Sequence, residues 1–361
     1  MKGSWLVCIA LLVPIPARAA FEGSSPEALM ECGHWKRARA LVERRAGADP
    51  DDAPTAYLLS RVRLAFGDLD TALSLAQKAV LLDSGSAKYH FQLARVYGEM
   101  AERAGTLKQL ALARRFRREA EAAVALDGSY LEAKLGLMEY YVRAPRILGG
   151  DRVKAAELAD DIARRDASEG YLARKHLLRE GHAAEEEEAL DRKAVESNPR
   201  SYEIQIILAD FYASDARRRY DLSETYARAA QRLDPGQIGA YVRLAKQYAV
   251  QQRFSKLDEV IVSSETNDPD DLSPLFEAGQ ALLSSGRDLP RAERYFRRYL
   301  AQEPEAVAPA LPLAHLRLGL VLRAQGRKAE AIAEIETALR LQPDLPEAGE
   351  ELRSLRQDAV R

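Results

Sequence analysis

Signals that end a helix recur along this chain at a nearly fixed spacing, and nothing else in it limits the fold as much. The stretch GRKAEAIAEIETALRLQP, residues 326–343, puts Ala331, Ile335 and Ala338 on one helical face and stops at Pro343. The same ending returns at Pro304, Pro269, Pro235 and Pro199, and its slot holds Ala167, Gly128, Ser84 and Pro50 further back. From the N-terminal side these ends lie 34, 44, 39, 32, 36, 34, 35 and 39 residues apart, a period of 34 with insertions. One amphipathic helix cannot bury its apolar face alone, so each unit of such an array must cover the face of the next. The expected architecture is a helical solenoid stabilised by nearest-neighbour contacts.

Each period also holds an earlier helix built round a small residue: Leu244, Ala245 and Tyr248; Ala278, Gly279 and Leu282; Leu318, Gly319 and Leu322. The small member lets two helices approach closely. With the second-helix positions, this pattern resembles the tetratricopeptide repeat, matched in the last period by His315, Leu318, Gly319, Leu322, Ala331, Ile335, Ala338 and Pro343. The resemblance implies an all-α, right-handed α-solenoid of helix-turn-helix hairpins over residues 20–344. Its repeats would be 21–50, 53–84, 87–128, 131–167, 170–199, 202–235, 238–269, 272–304 and 311–343, with a polar-backed capping helix in 345–361. Composition agrees, since 47% of residues are hydrophobic and 30% charged, and no stretch alternates with the period of a strand. The fifth repeat departs from the pattern, with Glu187 and Asp191 where small or apolar residues are expected. Either the alignment slips there or that hairpin packs loosely.

The first nineteen residues, MKGSWLVCIALLVPIPARA, combine Lys2, an apolar run from Trp5 to Val13 and the triplet Ala17-Arg18-Ala19. That is the layout of a secretory signal peptide cleaved near Ala19, and the run is shorter than the roughly 20 residues a membrane-spanning helix needs. Without residues 1–19 the chain carries 51 basic against 55 acidic side chains, which gives no reason to expect nucleic acid or an acidic membrane as a general partner. Cys32 is then the one cysteine, with no internal disulfide partner, and is expected to be a buried small apolar residue.

Two insertions stand out. The longest spacing fits an extended hairpin, helix 87–104 and helix 107–126, whose second helix carries Arg114, Arg115, Arg117 and Arg118 beside Glu119 and Glu121. These read as a solvated face with internal ion pairs, or as a basic dock for an anionic partner. In RAPRILGGDR, Pro145 breaks a helix and Gly149-Gly150 permit a tight return, as a structural turn or as a lip that touches a ligand. These two features also resemble a group of exported bacterial tetratricopeptide proteins, which implies a periplasmic or envelope location. The Pro-rich stretch 303–312 reads as a linker between repeats.

In the family, the first helix of each hairpin lines the concave groove. Its fifth positions here are Tyr57, Phe91, Leu135, Ile206, Val242, Phe276 and Leu316, and its ninth positions include Arg61, Arg95, Glu139, Asp210, Lys246 and Gln280. An apolar stripe beside charged positions suits an extended peptide or a helix laid into the groove, unless the stripe is half buried by the neighbouring hairpin. The Asn and Lys pairs of the carboxylate-clamp subtype are missing. No His-Glu-x-x-His, P-loop, Gly-x-Gly-x-x-Gly or Gly-x-Ser-x-Gly occurs, and the glutamates of HAAEEEE diverge round a helix. The expectation is a scaffold for an unknown protein or peptide, without catalysis, metal, cofactor or nucleic acid, touching membrane only through a partner. The alternatives are a structural module assembling through its convex face, or an accessory subunit of an envelope glycan or lipid enzyme complex.

Overall fold

The computed structural model describes residues 24–49, 51–180, 184–306 and 308–357, so the proposed signal peptide, Pro50 and His182 lie outside it. The described chain is all helical. Its hairpins are α1 (Pro26–Glu31) with α2 (Trp35–Ala48), α3 (Ala53–Ala65) with α4 (Leu69–Leu82), and α5 (Ala87–Glu102) with α6 (Thr106–Leu126). There follow α7 (Leu131–Arg143) with α8 (Arg152–Arg165), α9 (Ala167–Glu180) with α10 (Ala184–Ser197), and α11 (Tyr202–Ala213) with α12 (Tyr220–Leu233). The array ends with α13 (Gly239–Val250) and α14 (Phe254–Asn267), α15 (Ser273–Ser285) and α16 (Leu289–Tyr299), α17 (Leu311–Ala324) and α18 (Lys328–Leu341), then α19 (Pro346–Gln357). It is an all-α solenoid.

What ends most second helices is an aspartate one residue before the slot read from the sequence. Asp49, Asp83, Asp127, Asp166, Asp234 and Asp268 leave the helix with φ between −138° and −147°. The carboxylate of each then accepts the backbone N–H two residues on, at 2.7–3.4 Å. This Asx turn redirects the chain into the next hairpin, and the following proline, serine or glycine only suits the bend. Inside the hairpins the small-residue rule is steric. A Cβ on Gly319 would collide with Ile335 Cγ1 at 2.6 Å, and one on Gly279 would press on the Phe296 ring at 3.0 Å, so the paired helices approach most closely at these glycines.

Burial divides the array unevenly. From α11 to α19 one buried cluster runs without a break from Ala209 to Leu355. The cluster around α9 and α10 is small, formed by Tyr171, Ala194, Ile204 and Leu208. There Asp191, 1% exposed, accepts hydrogen bonds from Lys175 Nζ at 2.5 Å and the Tyr171 hydroxyl at 2.7 Å, while Glu187 lies 3.4 Å from the same ammonium. The two acidic residues are thus held by a buried cation, an arrangement different from both sequence expectations. Cys32 also corrects its expectation: it is the partly exposed C-cap of α1, and burial, Asp234 and Glu31 push its thiol pKa up.

First helices of successive hairpins touch one another, as α3 does α5, α7 does α9, α11 does α13, α13 does α15 and α15 does α17. Beyond their own hairpin, second helices touch the first helix of the next one and not its second helix, so the array curves with first helices inside. It comes round far enough for the start of α2 to reach the turns before α15 and after α16. Lys36 N donates to Glu305 Oε2 at 3.0 Å, and its ammonium donates to the carbonyls of Asp270 and Glu303 at 2.5 and 2.8 Å. Arg37 Nε meets Asp270 at 2.6 Å, Arg39 grips Glu303 with two bonds at 2.9 and 2.6 Å, and buried His34 lies 3.4 Å from Asp268. The stretch read as a linker is therefore one half of a clasp that closes the curve.

Candidate functional site

The curvature puts the family's groove positions on the inner face, and the structure splits them by depth. Tyr57, Phe91, Phe276 and Leu316 are buried, at 8%, 5%, 3% and 0% exposure, whereas Leu135, Ile206 and Val242 are half buried. Phe91 stands edge-on to Tyr130 at 5.7 Å, and Phe276 edge-on to Phe296 at 5.4 Å. These rings hold hairpins together, so the stripe of fifth positions is largely core. The ninth positions Arg61, Arg95, Glu139, Asp210 and Gln280 are half buried, and Lys246 is exposed.

Charges on the inner face pair across neighbouring first helices. Glu139 on α7 lies 3.7 Å from His176 on α9, Asp210 on α11 pairs with Arg243 on α13, and Lys246 on α13 pairs with Glu277 on α15 at 3.2 Å. Such exposed pairs each contribute little stability, and they fix which side chains face inward. At the N-terminal end the arrangement changes from paired charges to rings and cations. Tyr57 and Tyr89 pack with centroids 5.2 Å apart, the Arg61 guanidinium lies 5.7 Å from the Tyr57 ring and 6.0 Å from Trp35, and Lys88 lies 5.4 Å over Tyr57. Burial raises the Tyr57 and Tyr130 hydroxyl pKa values, and in the structure Tyr57 accepts from Arg61 while Tyr130 donates to Glu132 at 2.8 Å. Arg95 has no carboxylate partner among the described residues and stands beside these two rings.

The site thus gathers Tyr57, Arg61, Phe91 and Arg95 at one end of the inner face, and Asp210, Val242, Lys246, Phe276 and Gln280 toward the other. Lys88, Tyr89, Tyr130 and Glu277 lie beside these positions and were missed in the sequence because only fifth and ninth positions were read: Lys88 and Tyr89 precede Phe91 on α5, Tyr130 precedes α7, and Glu277 follows Phe276. Among the described residues no group of three or more His, Cys, Asp or Glu is placed to hold a metal ion.

A tetratricopeptide-repeat family model matches residues 276–346, the part of the chain with the unbroken core. Crystallographic yeast Tom70 superposes with a TM-score of 0.51 over 95% of this chain and 88% of its own, at 12% identity. Residues 276–346 are thus tetratricopeptide repeats, and the described chain as a whole shares the solenoid fold. Other solved structures similar to it are the Cut9–Hcn1 hetero-tetramer of the APC/C, at TM-score 0.45, 14% identity and coverage of 93% of this chain and 76% of that one. PilW, a widely conserved type IV pilus biogenesis factor, gives TM-score 0.46 and 20% identity over 62% of this chain and 98% of its own. No curated protein matches this chain. No helix among its described residues is long and apolar enough to cross a membrane.

Proposed function

We propose that this protein is a non-catalytic scaffold that binds an extended, acidic segment of a protein partner along its inner face, in the periplasm or envelope of a bacterium after cleavage near Ala19. The observation that carries the reading is the aromatic end of that face, where Arg95 makes no ion pair with the described residues beside Tyr57 and Tyr130, Arg61 and Lys88 lie over the Tyr57 ring, and Glu132, which accepts the Tyr130 hydroxyl, is the acid next to them. An acidic side chain laid there would gain a charged partner on a surface already ordered by packing. Since Phe91 and Phe276 are core rings, the polar positions would do the recognising, with Lys246 and Gln280 setting register farther along.

The test is photocrosslinking in cells with the probe at Lys88 or Lys246, and at Arg340 on α18 as control. A discrete adduct from the inner positions alone supports the groove and names the partner by mass spectrometry. Adducts from Arg340 alone would overturn it in favour of the outer face. That second reading has its own observation: Leu82, Leu126, Leu233 and Leu341, each the last residue of a second helix, are 40–52% exposed. An accessory role in a glycan or lipid enzyme complex has no comparable feature in its favour.

A further inference from the structure

The connection between α7 and α8 is a built loop that holds an apolar side chain out into solvent among arginines. Pro145 leads into a single 3-10 turn, Arg146–Leu148, and Gly149 reverses the chain at φ +88°. Leu148 is buried and its carbonyl accepts the Tyr140 hydroxyl at 2.8 Å, while Asp151 N donates to the Tyr141 carbonyl at 2.9 Å. Neither position suits a side chain, because Gly149 holds the left-handed φ and a Cβ on Gly150 would run into the Ala144 carbonyl. The loop so fixed leaves Ile147 85% exposed, and Val153 just beyond it 68% exposed.

Charge surrounds these two residues unevenly. A recess of about 450 Å³ between α6 and the loop is lined by Arg114, Arg117, Arg118 and Arg146, with Glu121 the acid among them. Arg117 is paired with Glu121 at 2.7 Å and Arg118 with Glu119 at 2.7 Å. Arg114, Arg146 and Arg152 make no ion pair with the described residues, in a protein that pairs most of its arginines. Arg146 and Arg152, with Asp151 the acid between them, line a second recess beside Val153.

We propose that this loop and the arginines round it form a docking surface for an anionic lipid bilayer. The apolar groups project instead of forming a hollow, so they suit a medium that closes round them better than the side chains of a folded partner. Meanwhile the arginine-lined recess has the charge and size to take a headgroup phosphate. The surface lies on a second helix and a loop, apart from the first-helix face, and it would hold the scaffold against a membrane.

The test uses the full chain with Cys8→Ser and Cys32→Ser and an environment-sensitive fluorophore on Ile147→Cys, with the same label on Leu81→Cys as control. Vesicles containing phosphatidylglycerol should shift the emission at 147 to the blue, vesicles of phosphatidylcholine alone should not, and the control should stay silent with both. Arg114→Ala, Arg146→Ala and Arg152→Ala together should weaken the response roughly a hundredfold, and high salt should remove it. A silent probe at 147, or equal shifts at 147 and 81, overturns the proposal. So does loss of the vesicle response to inorganic phosphate at matched ionic strength, which would assign the recess to free phosphate. A shift produced by polyglutamate but not by vesicles would assign the surface to an acidic protein segment.

Discussion

The hairpins from α13 to α18 and the hairpin of α9 and α10 have the same topology and opposite interiors. In the former, Tyr248, Leu257, Phe296, Leu318 and Ile335 fill the space between helices, and glycine at 279 and 319 sets how close those helices come. In the latter, an ammonium and a carboxylate occupy the equivalent space, with 4% and 1% of Lys175 and Asp191 exposed. The backbone of a two-helix repeat therefore accepts either filling, but the two respond differently to change. An apolar interior loses stability in proportion to the atoms removed, whereas an ionic one loses most when a single partner is taken away.

That contrast is broken most easily at its apolar end. Phe296 is 0% exposed and carries the ring contact to Phe276. Phe296→Ala should cost about 4 kcal/mol in urea unfolding, because the cavity it leaves is walled by helices held at glycine distance. An unchanged midpoint would mean that the C-terminal core is not the continuous unit described. At the ionic end, Asp191→Ala should cost about 3 kcal/mol by leaving Lys175 buried beside Glu187 alone. The double change Lys175→Met with Asp191→Leu should return most of that loss, whereas two independent apolar deletions in the C-terminal hairpins would add.

The same contrast explains what was legible in the sequence. The last three hairpins follow the repeat pattern because apolar packing leaves its trace at fixed offsets, and Gly319 with Ile335 is a pair that sequence spacing alone brings together. The buried Lys175–Asp191 pair is illegible that way, since an acid and a base sixteen residues apart look like ordinary surface. The repeating aspartate at the helix ends was visible, but its role depends on a carboxylate-to-amide bond that spacing does not encode. The clasp was hidden for a different reason. Its partners are more than 230 residues apart, and only the summed curvature of the intervening hairpins joins them.

The clasp supplies a third kind of interior, one that titrates. Glu305 is buried against Lys36 N, and burial raises its carboxyl to about 7, with Asp271 nearby raised by burial as well. A carboxyl raised in the folded state favours the closed clasp while it is protonated. The contribution is full below the ordinary carboxyl range near pH 4.5 and is lost as the pH rises through about 7. Glu303, held low by Arg39, stays charged across that window. Hydrogen exchange of the Lys36 amide, corrected for its intrinsic pH dependence, should therefore slow as the pH falls from 8 to 5 on the order of tenfold. Glu305→Gln should flatten the profile, and a profile unaltered by that change would remove Glu305 from the clasp.

The smallest effect sharpens the comparison within the well-packed region itself. Two hairpin turns close with the same pair of bonds: Gly326 N to the Arg323 carbonyl with Arg327 N to that of Leu322, and Gln252 N to the Ala249 carbonyl with Arg253 N to that of Tyr248. Both turn residues are left-handed, with φ +77° at Gly326 and +57° at Gln252. Glycine adopts that conformation freely, whereas glutamine carries a clash between its Cβ and the backbone. Gln252 is exposed, so its side chain offers little packing to offset the strain. Gln252→Gly should thus raise the stability of the chain by about 0.5–1 kcal/mol, and Gly326→Gln should lower it by a similar amount. Both effects should appear in the same urea transition that Phe296→Ala moves, because the two turns close hairpins that share one core. If Gln252→Gly destabilises the chain, the glutamine side chain makes a contact that outweighs its backbone strain, and the two turns are equivalent in shape only.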